Sequence, residues 1–341
     1  MRVADRMTAR NYMKYLHKSQ SKYAETNQKI ASGNRFTKLS DDVSAGSRVL
    51  RLRMDRYKAE KQLENAQEAN GKLKVTEDNM MAMNKIMTTV HEYTAQRALN
   101  DPSGDSGREI YAAEIRSMMA EFVQYANANY GNMFNYGGTN AYTGPFTISE
   151  EGKLLYNSID VDAIKKDPAT GVLMFGGKPV PLDKDIYFDI GLGILVSGPT
   201  EDPLVIGEKA FRVSYSGPEM LGFGLDEDGL SNNLYNVMNE LQKNLDTFDR
   251  EEAEKWNMKL RALLDKFRVN LTDIGVKTNF LDASEVRLKN TIDNHTERIQ
   301  TLMGIDDAEE ATDQMMNDYV LKAVLQMGSR VLPLSLMDFV R

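Results

Sequence analysis

No proline interrupts the chain between Ser40 and Pro102, and across that interval Leu52, Ala59, Ala66, Leu73, Met80 and Met87 recur every seven residues. A seven-residue apolar repeat keeps one seam facing one way on a slightly underwound helix, so the spacing predicts one very long helix laid on a partner. At 1.5 Å per residue, some 58 residues of it would reach about 87 Å. The start is expected at LSDD, where Ser40 can cap the first free backbone N–H groups and Asp41 and Asp42 sit at the positive end of the dipole. The end is expected at NDPSGDSG, residues 100–107.

A partner of matching length lies near the other end of the chain, in a helix expected from about Asp249 to Met303. Leu264, Leu271, Ile292 and Ile299 hold one seam position, and Phe267, Ile274, Leu281, Leu288 and Leu302 the other, with Thr278, Glu285 and His295 as polar exceptions. Two such segments most simply bury their seams on each other, antiparallel. Between them, Ser106 and Glu109 form a capping box for a second helix with Ile110, Ala113, Met118, Phe122 and Tyr125 broadly on one side and Gly131 as its stop. A short helix is expected over 231–245.

From Phe146 to about Gly229 the pattern changes to short runs rich in Val, Ile, Phe and Tyr, namely KLLYNSIDV, GVLMF, DIYFDIGLGILV and FRVSYS, punctuated by Gly, Pro, Asn and Asp. The expected fold is therefore mainly α: a long antiparallel helical rod built from the N- and C-terminal segments, with a small β-rich domain inserted. Its expected parts are a terminal helical assembly domain (1–39 with 305–341), a rod (40–145 with 230–304) and the β domain (146–229). YGGTNAYTGPF, residues 136–146, would be the hinge between rod and β domain.

Both extreme ends keep heptad spacing, through Tyr12, Leu16, Tyr23 and Ile30 at one end and Met316, Val320, Ala323, Met327 and Leu334 at the other. Each joins the rod through breakers, Gly33 with Asn34 and Gly304 with Asp306 and Asp307. They read as helices that complete their packing on other subunits, the alternative being an ordinary hairpin with each other. Residues 1–38 carry nine Lys or Arg against two acids, whereas residues 305–341 carry three against seven, so the two ends attract. The basic row Arg2, Arg6, Arg10, Lys14, Lys18 and Lys22 has few interleaved aromatics within an acidic chain of net charge -8, which favours a protein surface over nucleic acid.

Chemistry is hard to find. The chain has no cysteine, which removes disulfides, thiol catalysis and thiolate metal sites. HEYTA at His91 opens like HExxH but has Ala95 at the second ligand position. DEDG at residues 226–229 lacks the later acidic ligand of a calcium loop, and GLGILVSG at Gly191 fits no phosphate-loop pattern. No catalytic, cofactor or metal site is expected, and no stretch is long and apolar enough for a membrane helix. The N-terminus lacks the compact apolar segment of a secretory signal peptide.

NQKIASGNRFTKLSDDVSAGSRVLRLR, residues 27–53, resembles the N-terminal signature of the bacterial flagellin superfamily through Ile30, Ser32, Gly33, Arg35, Phe36, Ser40, Asp41 and Asp42. Val43 departs from the proline or alanine common there. IDDAEEATDQMMNDYVLKAVLQMGSRVLPLSLMDFVR, from Ile305, is similar to the family's C-terminal segment. Within the superfamily, Tyr136, Gly137, Gly138, Thr139, Pro145 and Phe146, together with the closing SLMDF at 335–339, resemble the hook–filament junction branch more than filament flagellins.

This resemblance implies a non-enzymatic structural subunit of the flagellum, secreted unfolded through the flagellar type III apparatus without a cleaved signal. It implies a ring of copies between hook-associated protein 1 and flagellin, and an export chaperone as a further partner. Three readings stay open beside it: a divergent filament flagellin, an enzyme-bearing relative with its site in the β domain, and a coiled-coil secretion or phage-tail component.

Overall fold

The computed structural model describes residues 2–38, 40–100, 104–140, 142–168, 171–192, 196–197, 204–205, 211–247 and 249–331. The chain forms two compact units, residues 1–60 with 290–341, and residues 61–289.

The predicted long helix is one unbroken helical run: α2 (Val43–Thr88), a π-helical turn (Thr89–Ala95) and α3 (Gln96–Asn100). Ser40 is not its cap. The helix begins at Val43, so Asp42 stands in the capping position and its Oδ1 accepts the Ala45 N–H at 2.9 Å. The Ser40 hydroxyl instead donates to Asp41, whose other oxygen accepts the Lys38 N–H. The partner helix α7 (Arg250–Met303) starts where expected, with Asp249 accepting the Glu252 N–H.

In the unit of residues 61–289, Ala66, Leu73, Met80 and Met87 on α2 are fully buried, as are Leu264, Phe267, Ile274 and Leu281 on α7. Polar contacts across the seam set its direction. Asn70 donates to Glu285, Thr278 to Glu77, and Arg268 to Asn84 and Thr88, so numbers fall along α7 as they rise along α2: an antiparallel pair. Two of the polar exceptions in the heptad, Thr278 and Glu285, are thus the residues that hold register. Beyond Met87 the π turn advances the helix by an extra residue per turn, and Val90, Ala95, Ala98 and Leu99 are buried beside α4 (Asp105–Ala126).

The start of α4 corrects the capping-box expectation, because Gly104 holds the capping position and Ser106 is already the second helical residue. The buried face is Ala112, Ile115, Met119, Phe122 and Ala126, leaving Ile110 and Ala113 exposed. Gly131 ends no helix. The chain leaves α4 at Asn127, and Gly131, at φ 59°, turns a hairpin of β1 (Asn129–Tyr130) and β2 (Met133–Phe134).

Short strands follow as expected: a meander of β3 (Phe146–Ile148), β4 (Leu154–Tyr156) and β5 (Ile159–Asp160), and another of β6 (Lys165–Lys166), β7 (Leu173–Phe175) and β8 (Lys178–Pro179). Then β9 (Tyr187–Phe188) pairs with β12 (Phe211–Arg212) and β10 (Val196–Ser197) with β11 (Leu204–Val205), all antiparallel. Strands of two or three residues make no self-sufficient core. They hang on helices of the same unit: Asn65 of α2 donates to the Asp189 carbonyl, and Asn236 of α6 (Leu234–Thr247) accepts the Leu154 N–H. The short α5 (Gly217–Leu221) follows β12, and α6, capped by the fully buried Asn233, begins at Leu234 rather than at residue 231.

In the unit of residues 1–60 and 290–341, α1 (Arg2–Ser32) and α8 (Asp307–Val331) lie against each other. A small core of Phe36, Ala45, Val49, Ile299 and Met303 joins the start of α2 to the end of α7.

Candidate functional site

The residues with catalytic or metal-binding flavour turn out to be structural. His91 sits buried in the π turn with Nδ1 2.8 Å from Asn257 Oδ1, a satisfied core histidine. Asp226 folds DEDG into a turn by accepting the Asp228 and Leu230 N–H groups, and its other oxygen pairs with Lys259. No cluster of three metal-ligating side chains exists among the described residues.

The residues of the N-terminal signature build a connector between α1 and α2. Gly33, at φ 65°, ends α1 in the left-handed region that suits glycine. Ser32 accepts the Asn34 N–H, Asn34 bridges to Gly304, and the Arg35 N–H donates to the Met303 carbonyl at 2.7 Å. Both chain crossings are therefore stitched together by backbone. Arg35 pairs with Asp42 at 3.1 Å and its guanidinium lies over the Phe36 ring, so the charge that caps α2 also holds the loop that precedes it.

The α1 and α8 pair is antiparallel: Lys29 pairs with Glu310, Gln314 donates to Asn27, Asn317 donates to Thr26, and a Cβ at Gly328 would collide with Tyr12. On α8 the residues turned to α1 are thus Glu310, Gln314, Asn317, Leu321, Val324 and Gly328, a heptad row that is half polar. The predicted row, Met316, Val320, Ala323 and Met327, lies beside it and stays largely open, with Met316 61%, Val320 44% and Met327 58% exposed. Met315 and Tyr319 are 75% exposed. On α1, Tyr12, Leu16 and Tyr23 are half-buried and Ile30 is at the edge of exposure. Leu334 and SLMDF lie outside the described residues, as do the side chains of Arg2 and Arg6.

A groove of 620 Å³ runs between the two helices, lined by Tyr12, Tyr15, Lys18, Lys22, Met316 and Val320. Lys29 with Glu310 is the one ion pair joining α1 to α8 among the described residues, so the opposite charge of the ends meets at a single point and leaves most of the basic row open. What this surface can do is bind a helix: apolar side chains at heptad spacing, flanked by charge, with no reactive group.

The loop after β2 is a packed corner rather than a free hinge. Tyr136 is fully buried, its hydroxyl donating to the Thr76 carbonyl, and burial pushes its phenol pKa far up, so it stays a neutral donor. Gly137 bridges to Ser216, and Thr139 donates to the Leu182 carbonyl through both N–H and hydroxyl. Gly138 has φ 59° and a Cβ there would come within 2.6 Å of the Leu182 oxygen. The buried Asn140 accepts the Tyr142 and Thr143 N–H groups and donates to Asn157, whose own N–H donates to the Pro145 carbonyl. Asn127 brackets Phe146, accepting its N–H at 2.9 Å and donating to its carbonyl at 2.8 Å. Asparagine is the usual mark of such turns, yet Asn127 and Asn140 escaped the sequence reading because their partners lie up to nineteen residues away.

Residues 3–140, the span that holds α1, the connector, α2 and the start of this loop, match the family of the bacterial flagellin N-terminal helical region. This part of the chain is a flagellin-type N-terminal helical region. Members of the flagellin superfamily are structural proteins of the flagellum, and the open helical surface fits a flagellar structural role. No curated protein matches the chain in sequence. Among solved structures, a flagellar hook-associated protein from Vibrio parahaemolyticus is similar to this chain at 15% identity and TM-score 0.55, covering 77% of it and 100% of the other. FlgL from Bacillus cereus is similar at 15% identity and TM-score 0.49, covering 73% and 98%. Hook-associated protein 3 from Legionella pneumophila is similar at 13% and 0.49, covering 74% and 98%.

Proposed function

We propose that the chain is the subunit that joins the flagellar hook to the filament, forming a ring through residues 1–39 and 305–341. The observation that carries the reading is the apolar heptad row of α8, left open while a half-polar row faces α1. A hairpin closed by polar contacts is weakly held, and covering the apolar row on neighbouring copies supplies what it lacks. Support for the junction over the filament comes from the Tyr136 to Phe146 corner and from the fold it shares with the hook-associated protein. Hook-associated protein 1 on one side, flagellin on the other, an export chaperone and unfolded passage through the type III apparatus belong to the same proposal.

Deleting the gene is expected to leave normal hooks without filaments and flagellin shed into the medium. A chain that instead dominates sheared filaments is a flagellin. Hydrogen exchange supplies the mechanistic check: weak protection of residues 2–38 and 306–331 in the monomer that rises on assembly. Strong protection before assembly would overturn the proposed mechanism.

A further inference from the structure

A second groove, of 630 Å³, opens where the start of α2 meets the end of α7 in the unit of residues 1–60 and 290–341. Its rim carries Arg48, Arg51 and Arg298, and Leu52 and Leu302 line its floor. All three arginines are exposed and none pairs with a carboxylate among the described residues. Three unpaired guanidinium groups around a leucine floor are suited to an acidic helix that also brings an apolar side chain.

The chain carries such a helix. Glu309 and Asp313 continue the open row of α8 by one heptad towards its start, giving Glu309, Asp313, Met316 and Val320 in register. Both acids are exposed and neither has an ion pair among the described residues, in contrast to Glu310, held by Lys29, and Asp318, held by Lys322. Arg48 and Arg51 are one helical turn apart, as are Glu309 and Asp313, so charges can meet pairwise along the two helices. Met316, one turn further along the same row, supplies the apolar side chain that a leucine-lined groove favours.

We propose that this groove receives the Glu309, Asp313 and Met316 row of α8 from a second copy of the chain. The contact is head-to-tail, since groove and row are different surfaces, and so it propagates from copy to copy. It rests on the reading that the chain self-assembles through its terminal helices and names the surface that accepts one of them.

The absence of cysteine makes a direct test available. Thr301→Cys, at the groove, and Thr312→Cys, beside Asp313, are made in separate full-length chains, mixed, associated and oxidised. Disulfide-linked dimers are expected in the mixture and not with either chain alone, because a disulfide needs Cα atoms within about 7 Å. Arg48→Glu with Arg51→Glu in the groove chain should lower the yield about tenfold, and Glu309→Arg with Asp313→Arg in its partner should restore it. Associated material without this disulfide, or without rescue, overturns the inference while leaving self-assembly standing; it would point to an acidic helix of another protein as the occupant. Chains that stay monomeric in sedimentation overturn self-assembly and this contact together.

Discussion

Replacing Met316, Val320 and Met327 together by glutamine separates the two jobs of α8. Full burial of a Met or Val side chain contributes roughly 2 kcal/mol. Scaled by the exposed fractions of 61%, 44% and 58%, the row has about 3 kcal/mol still to gain when another surface covers it. Forfeiting that gain should weaken association about a hundredfold. The single chain should lose less, because about half of each side chain is already in water and glutamine is a good helix former whose stem can keep part of the packing. The assay is sedimentation velocity with sulfate added to favour association, alongside a thermal melt of the dilute chain. Unchanged association, whatever the melting point, would refute the reasoning, since it would mean that no other copy covers the row.

Other perturbations follow from the corner and the helices around it. Asn127→Ala removes both hydrogen bonds to the Phe146 backbone and should cost about 2–4 kcal/mol in urea unfolding; Asn127→Asp should not rescue, because a carboxylate cannot donate to the Phe146 carbonyl. Asn257→Ala leaves His91 unpaired in the core and should cost about 1–3 kcal/mol by the same measurement. Burial raises the Asp183 carboxyl above its usual range, although Tyr156 donates to it. A raised folded pKa favours the folded state below the unfolded pKa and loses that contribution as pH rises through the folded one. Asp183→Asn, which keeps an acceptor for Tyr156, should therefore gain stability over the parent at neutral pH and lose that advantage near pH 3.

The long helices were legible because seven-residue spacing over sixty proline-free residues admits few alternatives, and the buried Leu73, Met80, Ile274 and Leu281 lie where it put them. On α8 spacing marked out one row and left a second unseen. Two heptad rows lie side by side, and apolar content pointed to Met316 and Val320, whereas Gln314 and Asn317 face α1 because Asn27 and Thr26 supply polar partners there. Helix ends slipped for a local reason: Ser40, Asp41 and Asp42 are all competent caps, and only the position of Val43 selects Asp42. The hairpin at Gly131 was hidden by the helix-like NANYGNMF around it, although Gly-Asn between Tyr130 and Met133 is itself a turn signal. At the corner, the long-range partners of Asn127 and Asn140 have no trace in local pattern.

The π turn at Thr89–Ala95 acts on the helical pair as a ruler does. A strict heptad would put Thr94 next on the seam of α2 after Met87, but the extra residue in this turn rotates everything after it, so Val90, Ala95, Ala98 and Leu99 are the buried positions and the contact with α7 passes to His91 and Asn257. The point at which the heptad register ends is thus set by one backbone irregularity. Relatives should tolerate gain or loss of whole heptads from both strands of the pair ahead of it, and should not tolerate one residue more or fewer between Val43 and Thr88.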